Sequence, residues 1–209
     1  MRTLVIDSAT EACSAALFED GALRDGFCEV IGRGHAERLV PMIAELPGKG
    51  EADRIVVSLG PGSFTGVRIG VAAARALALA WGIPLHGYSA LGIIAAKAAA
   101  AYHQSGPVAV TITGGHGELF WQTFSADGLE PIGKPASTPI TELARQLEHS
   151  TIYGTGAETL VTARGHGMAV SLYPDAADYP LVAGLAPLPP SPIYCRGADA
   201  RPMAERAAP

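Results

Sequence analysis

The chain has 209 residues, with 15 Lys+Arg against 20 Asp+Glu, a net charge of -5, 48% hydrophobic and 17% charged residues. That length gives one large domain or two small ones, and the apolar content excludes a disordered chain. The acidic balance excludes a protein that grips nucleic acid alone, because Lys and Arg supply most non-specific phosphate affinity.

Residues 3–6 are a short apolar run ending in Asp7-Ser8, and the run at residues 13–18 is joined to residues 23–30 by Asp20-Gly21. Asp-Gly between two strand-like runs predicts a two-residue hairpin turn. With that turn, paired positions sum to 41 and Cys13 is expected opposite Cys28. Leu39, Met42, Ile43 and Leu46 recur at helical spacing, predicting a helix over 35–46 that contains Pro41. A strand at 54–58, the loop Gly60-Pro61-Gly62-Ser63-Phe64-Thr65-Gly66 and a helix over 67–81 follow. Residues 83–86 read as a strand, and 89–101 as a helix with Ser89 as its N-cap. The uncharged stretch 76–96 is long enough to raise a membrane span, but Gly82, Pro84 and Gly87 divide it.

After a break at 104–107, residues 108–113 and 118–124 read as two strands. Thr138-Pro139 predicts a helix to about residue 148, with Thr138 as N-cap and Pro139 at the first helical position. A strand at 151–153 and a proline-rich extended tail after residue 183 complete the pattern. Strands alternating with helices in both halves predict α/β architecture, divided as 1–105, 106–200 and a tail over 201–209.

The glycine loop before a helix is a candidate anion cradle, because small residues let backbone amides approach a phosphate. Asp7, Ser8, Gly60, Gly62, Ser63 and Thr65 are therefore nucleotide or phosphate candidates; the alternative is a tight turn that seats the helix closely on the sheet. The loop fails the Walker, dinucleotide and nucleophile-elbow patterns. Cys13, Cys28 and Cys195 form no CxxC, the six histidines are scattered, and no metal or cofactor site and no catalytic residue is indicated. The first residues lack the apolar stretch of a signal peptide, so a cytoplasmic, non-membrane protein is expected. The helix over 67–81 carries only Arg68 and Arg75 as charges and is apolar on most sides, so more than one side must be covered. Its Gly66, Gly70 and Ala74 line leaves room for another helix. Leu39, Met42, Ile43, Gly70, Ala74 and Leu77 are the candidates for a partner interface.

Three stretches, Ile6-Asp7-Ser8-Ala9-Thr10-Glu11-Ala12-Cys13-Ser14, His35-Ala36-Glu37-Arg38-Leu39-Val40-Pro41 and Gly60 through Gly70, together resemble the TsaB (YeaZ) family. A weaker likeness returns at Pro192-Ile193-Tyr194-Cys195-Arg196-Gly197-Ala198-Asp199-Ala200. The resemblance implies an actin-like ATPase (ASKHA) fold of two ribonuclease-H-like subdomains with mixed sheets, the second reduced. It also implies a non-catalytic subunit in bacterial tRNA threonylcarbamoyladenosine biosynthesis. Its expected partners are the catalytic subunit TsaD and the ATPase TsaE, with a homodimer when alone and tRNA reached only through the complex. The catalytic sister carries a metal-binding histidine pair in the helix matching 89–101, where this chain has Ala90-Leu91-Gly92-Ile93-Ile94. The turn Thr113-Gly114-Gly115-His116-Gly117 departs from the family's pattern. Two alternatives are a small-molecule kinase or ATPase of the same superfamily, which would place Asp7 and the glycine loop at the phosphates, and a glycoprotease-like peptidase.

Overall fold

The computed structural model describes residues 1–102 and 106–195. Part of the expected break after residue 103, the family-like residues 196–200 and the tail over 201–209 lie outside the described residues.

The first half runs β1 (Arg2–Asp7), β2 (Ala12–Glu19), β3 (Ala22–Val30), α1 (His35–Glu45), β4 (Arg54–Ser58), α2 (Phe64–Trp81), β5 (Leu85–Tyr88) and α3 (Ala90–Tyr102). Its sheet has the order β3-β2-β1-β4-β5; β1, β2 and β3 are antiparallel, and β4 and β5 join β1 in parallel. The second half runs β6 (Val108–Thr113), β7 (Glu118–Phe124), β8 (Pro131–Pro139), α4 (Ile140–Gln146), β9 (Thr151–Tyr153), α5 (Ala157–Arg164) and β10 (Met168–Val170). Its sheet order, β10-β9-β6-β7-β8, repeats the first connectivity. Two mixed sheets with flanking helices are consistent with the actin-like fold.

Every residue of β2 up to Phe18 is buried, because the sheet is covered on both faces. Helices α1 and α2 lie against the first sheet, and the 3-10 turn Ala176–Leu181 returns from the second half to β1, β2 and β3. Ser14 Oγ accepts from Ala176 N at 3.0 Å and Phe18 meets Tyr179 edge-on, so the even-numbered side chains of β2 face that turn. Helix α3 touches β6, β7 and β9 as well as the 3-10 turn. Leu91, Ile93, Ile94, Ala95 and Ala98 are fully buried in it, which is why its apolar residues show no single stripe.

The Asp20-Gly21 turn forms as expected, with φ of 50° and 84°, the left-handed pair that a two-residue hairpin requires. The expected cysteine pairing does not survive it. Glu19 pairs with Ala22 and Phe18 with Leu23, but an irregularity between Leu17 and Phe18 then sets Leu17 opposite Asp25. One extra residue on β3 shifts the remaining register, so Cys13 faces Glu29 and Cys28 faces Ser14. Cys13 is buried and Cys28 exposed, on opposite faces of the sheet.

Two further differences concern the second half. The strand β8 has no counterpart among the expected elements; it carries Pro131, Pro135 and Pro139, and it is the edge of its sheet, where proline is tolerated. The next helix begins one residue later than expected, with Pro139 rather than Thr138 at the N-cap. Thr138 Oγ1 instead accepts a hydrogen bond from Trp121 Nε1 at 2.9 Å. By contrast, Ser89 caps α3 as expected, its Oγ accepting from Gly92 N at 3.3 Å.

Candidate functional site

Two surfaces carry the residues singled out by the sequence. The first is the junction of the β1 end with the glycine loop. Asp7 is 1% exposed, and its Oδ1 accepts from Ala9 N at 2.9 Å while Oδ2 accepts from Tyr88 Oη at 2.8 Å. Burial pushes its carboxyl up from the usual range to about 6, against the lowering effect of those two bonds. Burial, and then the neighbouring Asp7, push the Tyr88 phenol well above its ordinary value. Both oxygens of Asp7 are engaged within the chain and the side chain is buried, so as it stands the carboxylate is not open to a phosphate or its metal from solvent.

The loop is clamped to the β1–β2 turn. Ser63 N donates to Ala9 O at 2.7 Å, Ser8 Oγ donates to Gly66 O at 2.9 Å, and Ser63 caps α2 by accepting from Gly66 N at 3.2 Å. A Cβ on Gly62 would collide with the Ala9 carbonyl, one on Gly66 with the Ser8 carbonyl, and one on Gly70 with the Ser8 hydroxyl. Gly60 has φ of 80° and accepts from Ala90 N at 2.8 Å, tying the loop to α3. The loop thus meets the β1–β2 turn through Ser8–Gly66, Ser63–Ala9 and the approach of Gly62 to Ala9, while Asp7 turns to Ala9 and Tyr88, Gly60 to Ala90, and Thr65 stands exposed on the first turn of α2. The three glycines are needed for the close seating of α2 on the strand end, the alternative that the sequence left open.

The second surface is the outer side of α1 and α2, which touch one another. Leu39, Met42, Ile43, Gly70 and Ala74 are buried within the chain itself, and only Leu77 of the six interface candidates is partly exposed. The inward stripe holds those residues; the outward stripe carries Val40 on α1 and Phe64, Ala72, Ala76, Leu79 and Ala80 on α2. Leu79 is 85% exposed and Val40 57%. By length and composition α2 is apolar enough to cross a bilayer, yet only 33% of it is buried in the chain. The sequence signal was the all-round apolarity of α2, and what it lacked was the phase that says which stripe turns inward.

Among the described residues no group of three or more His, Cys, Asp and Glu side chains is placed to hold a metal ion. The start of α3 presents Ala90, Leu91, Gly92, Ile93 and Ile94, and carbon side chains cannot ligate.

A sequence model of the family described as TsaD, tRNA N6-adenosine threonylcarbamoyltransferase, matches residues 28–179. The chain is similar to the Escherichia coli tRNA threonylcarbamoyladenosine biosynthesis protein TsaB, 37% identical over 134 residues, 61% of this chain. That match spans 56% of the length of the Escherichia coli protein. Two solved structures cover nearly their whole length. One is an uncharacterized protein with similarity to peptidase YeaZ from Pseudomonas aeruginosa, with TM-score 0.78 at 30% identity over 93% of this chain and 99% of that one. The other is YeaZ from Pseudomonas aeruginosa, with TM-score 0.77 at 29% identity over 92% and 99%.

Proposed function

The chain belongs to the TsaB (YeaZ) family, and from that premise we propose that it is a non-catalytic subunit that binds and activates a TsaD-type threonylcarbamoyltransferase in tRNA modification. The observation that carries this reading is the outward stripe of α2. A helix this apolar with eight of its 18 residues exposed has a face suited to another protein. Val40 on α1 and Leu79 on α2 widen that face, and the small residues Ala72, Ala76 and Ala80 allow a partner helix to approach closely.

The two sheets of matching connectivity support a division into subdomains at 1–105 and 106–200. The absence of ligating side chains at the start of α3 fits chemistry carried by the partner rather than by this chain. Against a kinase reading stands the closure of Asp7 by Tyr88 and Ala9. In this proposal the chain works in the cytoplasm, pairs with itself through the same face when alone, joins a TsaE-type ATPase in the assembly, and meets tRNA only there.

Reconstitution with the TsaD-type and TsaE-type subunits and the adenylate-forming enzyme of the same source tests it. The expected result is threonylcarbamoylated tRNA only when this chain is present, with no modification by the chain alone. Equal modification without the chain overturns the proposal.

A further inference from the structure

After the 3-10 turn Ala176–Leu181, residues 185–195 run back across the first half as an extended strap. On its inner side Leu188 and Gly87 exchange two backbone bonds of 2.9 and 3.0 Å beside β5, and Ile193 N donates to Leu59 O at 2.9 Å. Four of its residues, Pro187, Pro189, Pro190 and Pro192, have no N–H to donate, so few backbone bonds hold it.

The outer side is held by α2. Arg75 Nη2 donates to Pro190 O at 2.7 Å, and Arg68 Nε donates to Tyr194 Oη at 3.4 Å. The Arg68 guanidinium also lies 3.4 Å from the centre of the Phe64 ring, which is 6.1 Å from the ring of Tyr194. Both charged side chains of α2, seven residues apart on one stripe, are thus spent on the strap. Behind it is a cavity of about 260 Å³, walled by Tyr88, Phe124 and Tyr179 of the body and by Leu185, Leu188 and Ile193 of the strap.

We propose that residues 185–195 form a latch, held shut by Arg68 and Arg75, which opens the apolar cavity when a partner bearing carboxylates engages these guanidinium groups on α2. Its present acceptors are a neutral carbonyl and a neutral hydroxyl. A carboxylate makes charge-assisted, bidentate bonds to arginine that are roughly twice as strong, so it would displace them. The latch stands on the contacts above; its coupling to a partner rests on the reading of α2 as the partner face.

Amide hydrogen exchange on the full chain, followed residue by residue, tests both parts. In the Arg68→Ala/Arg75→Ala double variant, the Leu188 and Ile193 amides exchange about tenfold faster or more, while the amides of β4 are unchanged. The fluorescence of 1-anilinonaphthalene-8-sulfonate rises with the opening of the cavity. Unchanged exchange overturns the latch, and faster exchange without a rise in fluorescence overturns its role as the cavity's cover. With the wild-type chain and the TsaD-type subunit, binding accompanied by faster exchange at Leu188 and Ile193 supports the coupling. Binding with unchanged or slower exchange there overturns it. Failure to bind overturns the functional reading and with it the coupling, and the latch then stands or falls on the double variant alone.

Discussion

Tyr88 at the end of β5 reaches across β4 to donate a 2.8 Å hydrogen bond to Oδ2 of Asp7 at the end of β1. The strand between them offers Ser58, paired with Tyr88 in the β4–β5 register and buried, so the row is closed to water. A carboxylate in such a place depends on each donor it has. Tyr88→Phe removes one without changing the ring. Leaving a buried acceptor short of a partner costs about 1 to 3 kcal/mol, and the cost is larger when the acceptor is ionised. Urea unfolding should therefore show Tyr88→Phe destabilised at pH 7.5 by more than at pH 5. An equal loss at both pH values would mean that Asp7 does not change its charge between them.

The titration of Asp7 itself has a definite sign. Its carboxyl lies at about 6 in the folded chain, above the ordinary 3.8, so the folded state holds this proton more tightly than the unfolded state. The resulting stability is fully present below about pH 4 and is lost as pH rises through about 6. Two pKa units correspond to about 3 kcal/mol. Asp7→Asn cannot ionise and escapes that loss. The melting temperature of Asp7→Asn minus that of the wild type should climb between pH 4 and about pH 6.5 and then level off. A flat difference refutes the buried acid.

Close seating of α2 on the strand end predicts unequal tolerance to a single methyl group. Gly62→Ala and Gly66→Ala each drive a Cβ into a backbone carbonyl, which cannot swing aside as a side chain can. Overpacking of this kind costs about 1 to 3 kcal/mol or more. Gly184→Ala, with nothing near the added Cβ, serves as the control and should change stability by less than about 0.5 kcal/mol. Denaturant midpoints of the three variants distinguish the outcomes. If Gly62→Ala and Gly66→Ala behave like the control, the loop is not clamped to the β1–β2 turn.

The hairpin shows where sequence reasoning stops. Asp20-Gly21 has local chemistry that dictates its turn, and the turn forms. The register beyond it depends on one unpaired residue near Arg24, which no turn chemistry signals. The same holds for α2. Its C-terminal end and its apolar character are written locally, but its start, at Phe64 behind the Ser63 cap rather than at residue 67, lies inside the glycine loop, and its inward phase is set by Ser8 and Val57 beneath Gly70. In the second half, β8 hides behind three prolines that only its place at the sheet edge makes harmless. The strand-end acid and the glycine loop are legible; Tyr88, the group that closes the site, is not, because it lies 81 residues from Asp7 and follows no spacing rule.

The shifted register makes a chemical prediction. Cys13 is buried on one face of the sheet and Cys28 exposed on the other, so their sulfur atoms cannot approach without remaking the hairpin. Mild oxidation with oxidised glutathione, followed by peptide mass mapping, should yield no Cys13–Cys28 bridge. Finding that bridge in folded protein would restore the unbulged pairing.

The faces of α2 give opposite predictions for the same chemical change. Ala74 is fully buried against the first sheet, whereas Leu79 is 85% exposed. A glutamate at position 74 must enter a closed apolar core without a partner, which costs several kcal/mol and should unfold much of the chain. Leu79→Glu places its charge in water and should change stability by no more than about 0.5 kcal/mol. If the outward stripe is the partner face, Leu79→Glu should instead weaken binding of the TsaD-type subunit by about tenfold to a hundredfold, or about 1.4 to 2.8 kcal/mol. Val40→Glu on α1 should act in the same direction, being 57% exposed on the neighbouring helix. Thermal unfolding and calorimetric titration of all three variants separate the two effects. A folded Ala74→Glu chain would show that α2 has been phased wrongly, and full affinity in both Leu79→Glu and Val40→Glu would remove the outward stripe as the place where the partner binds.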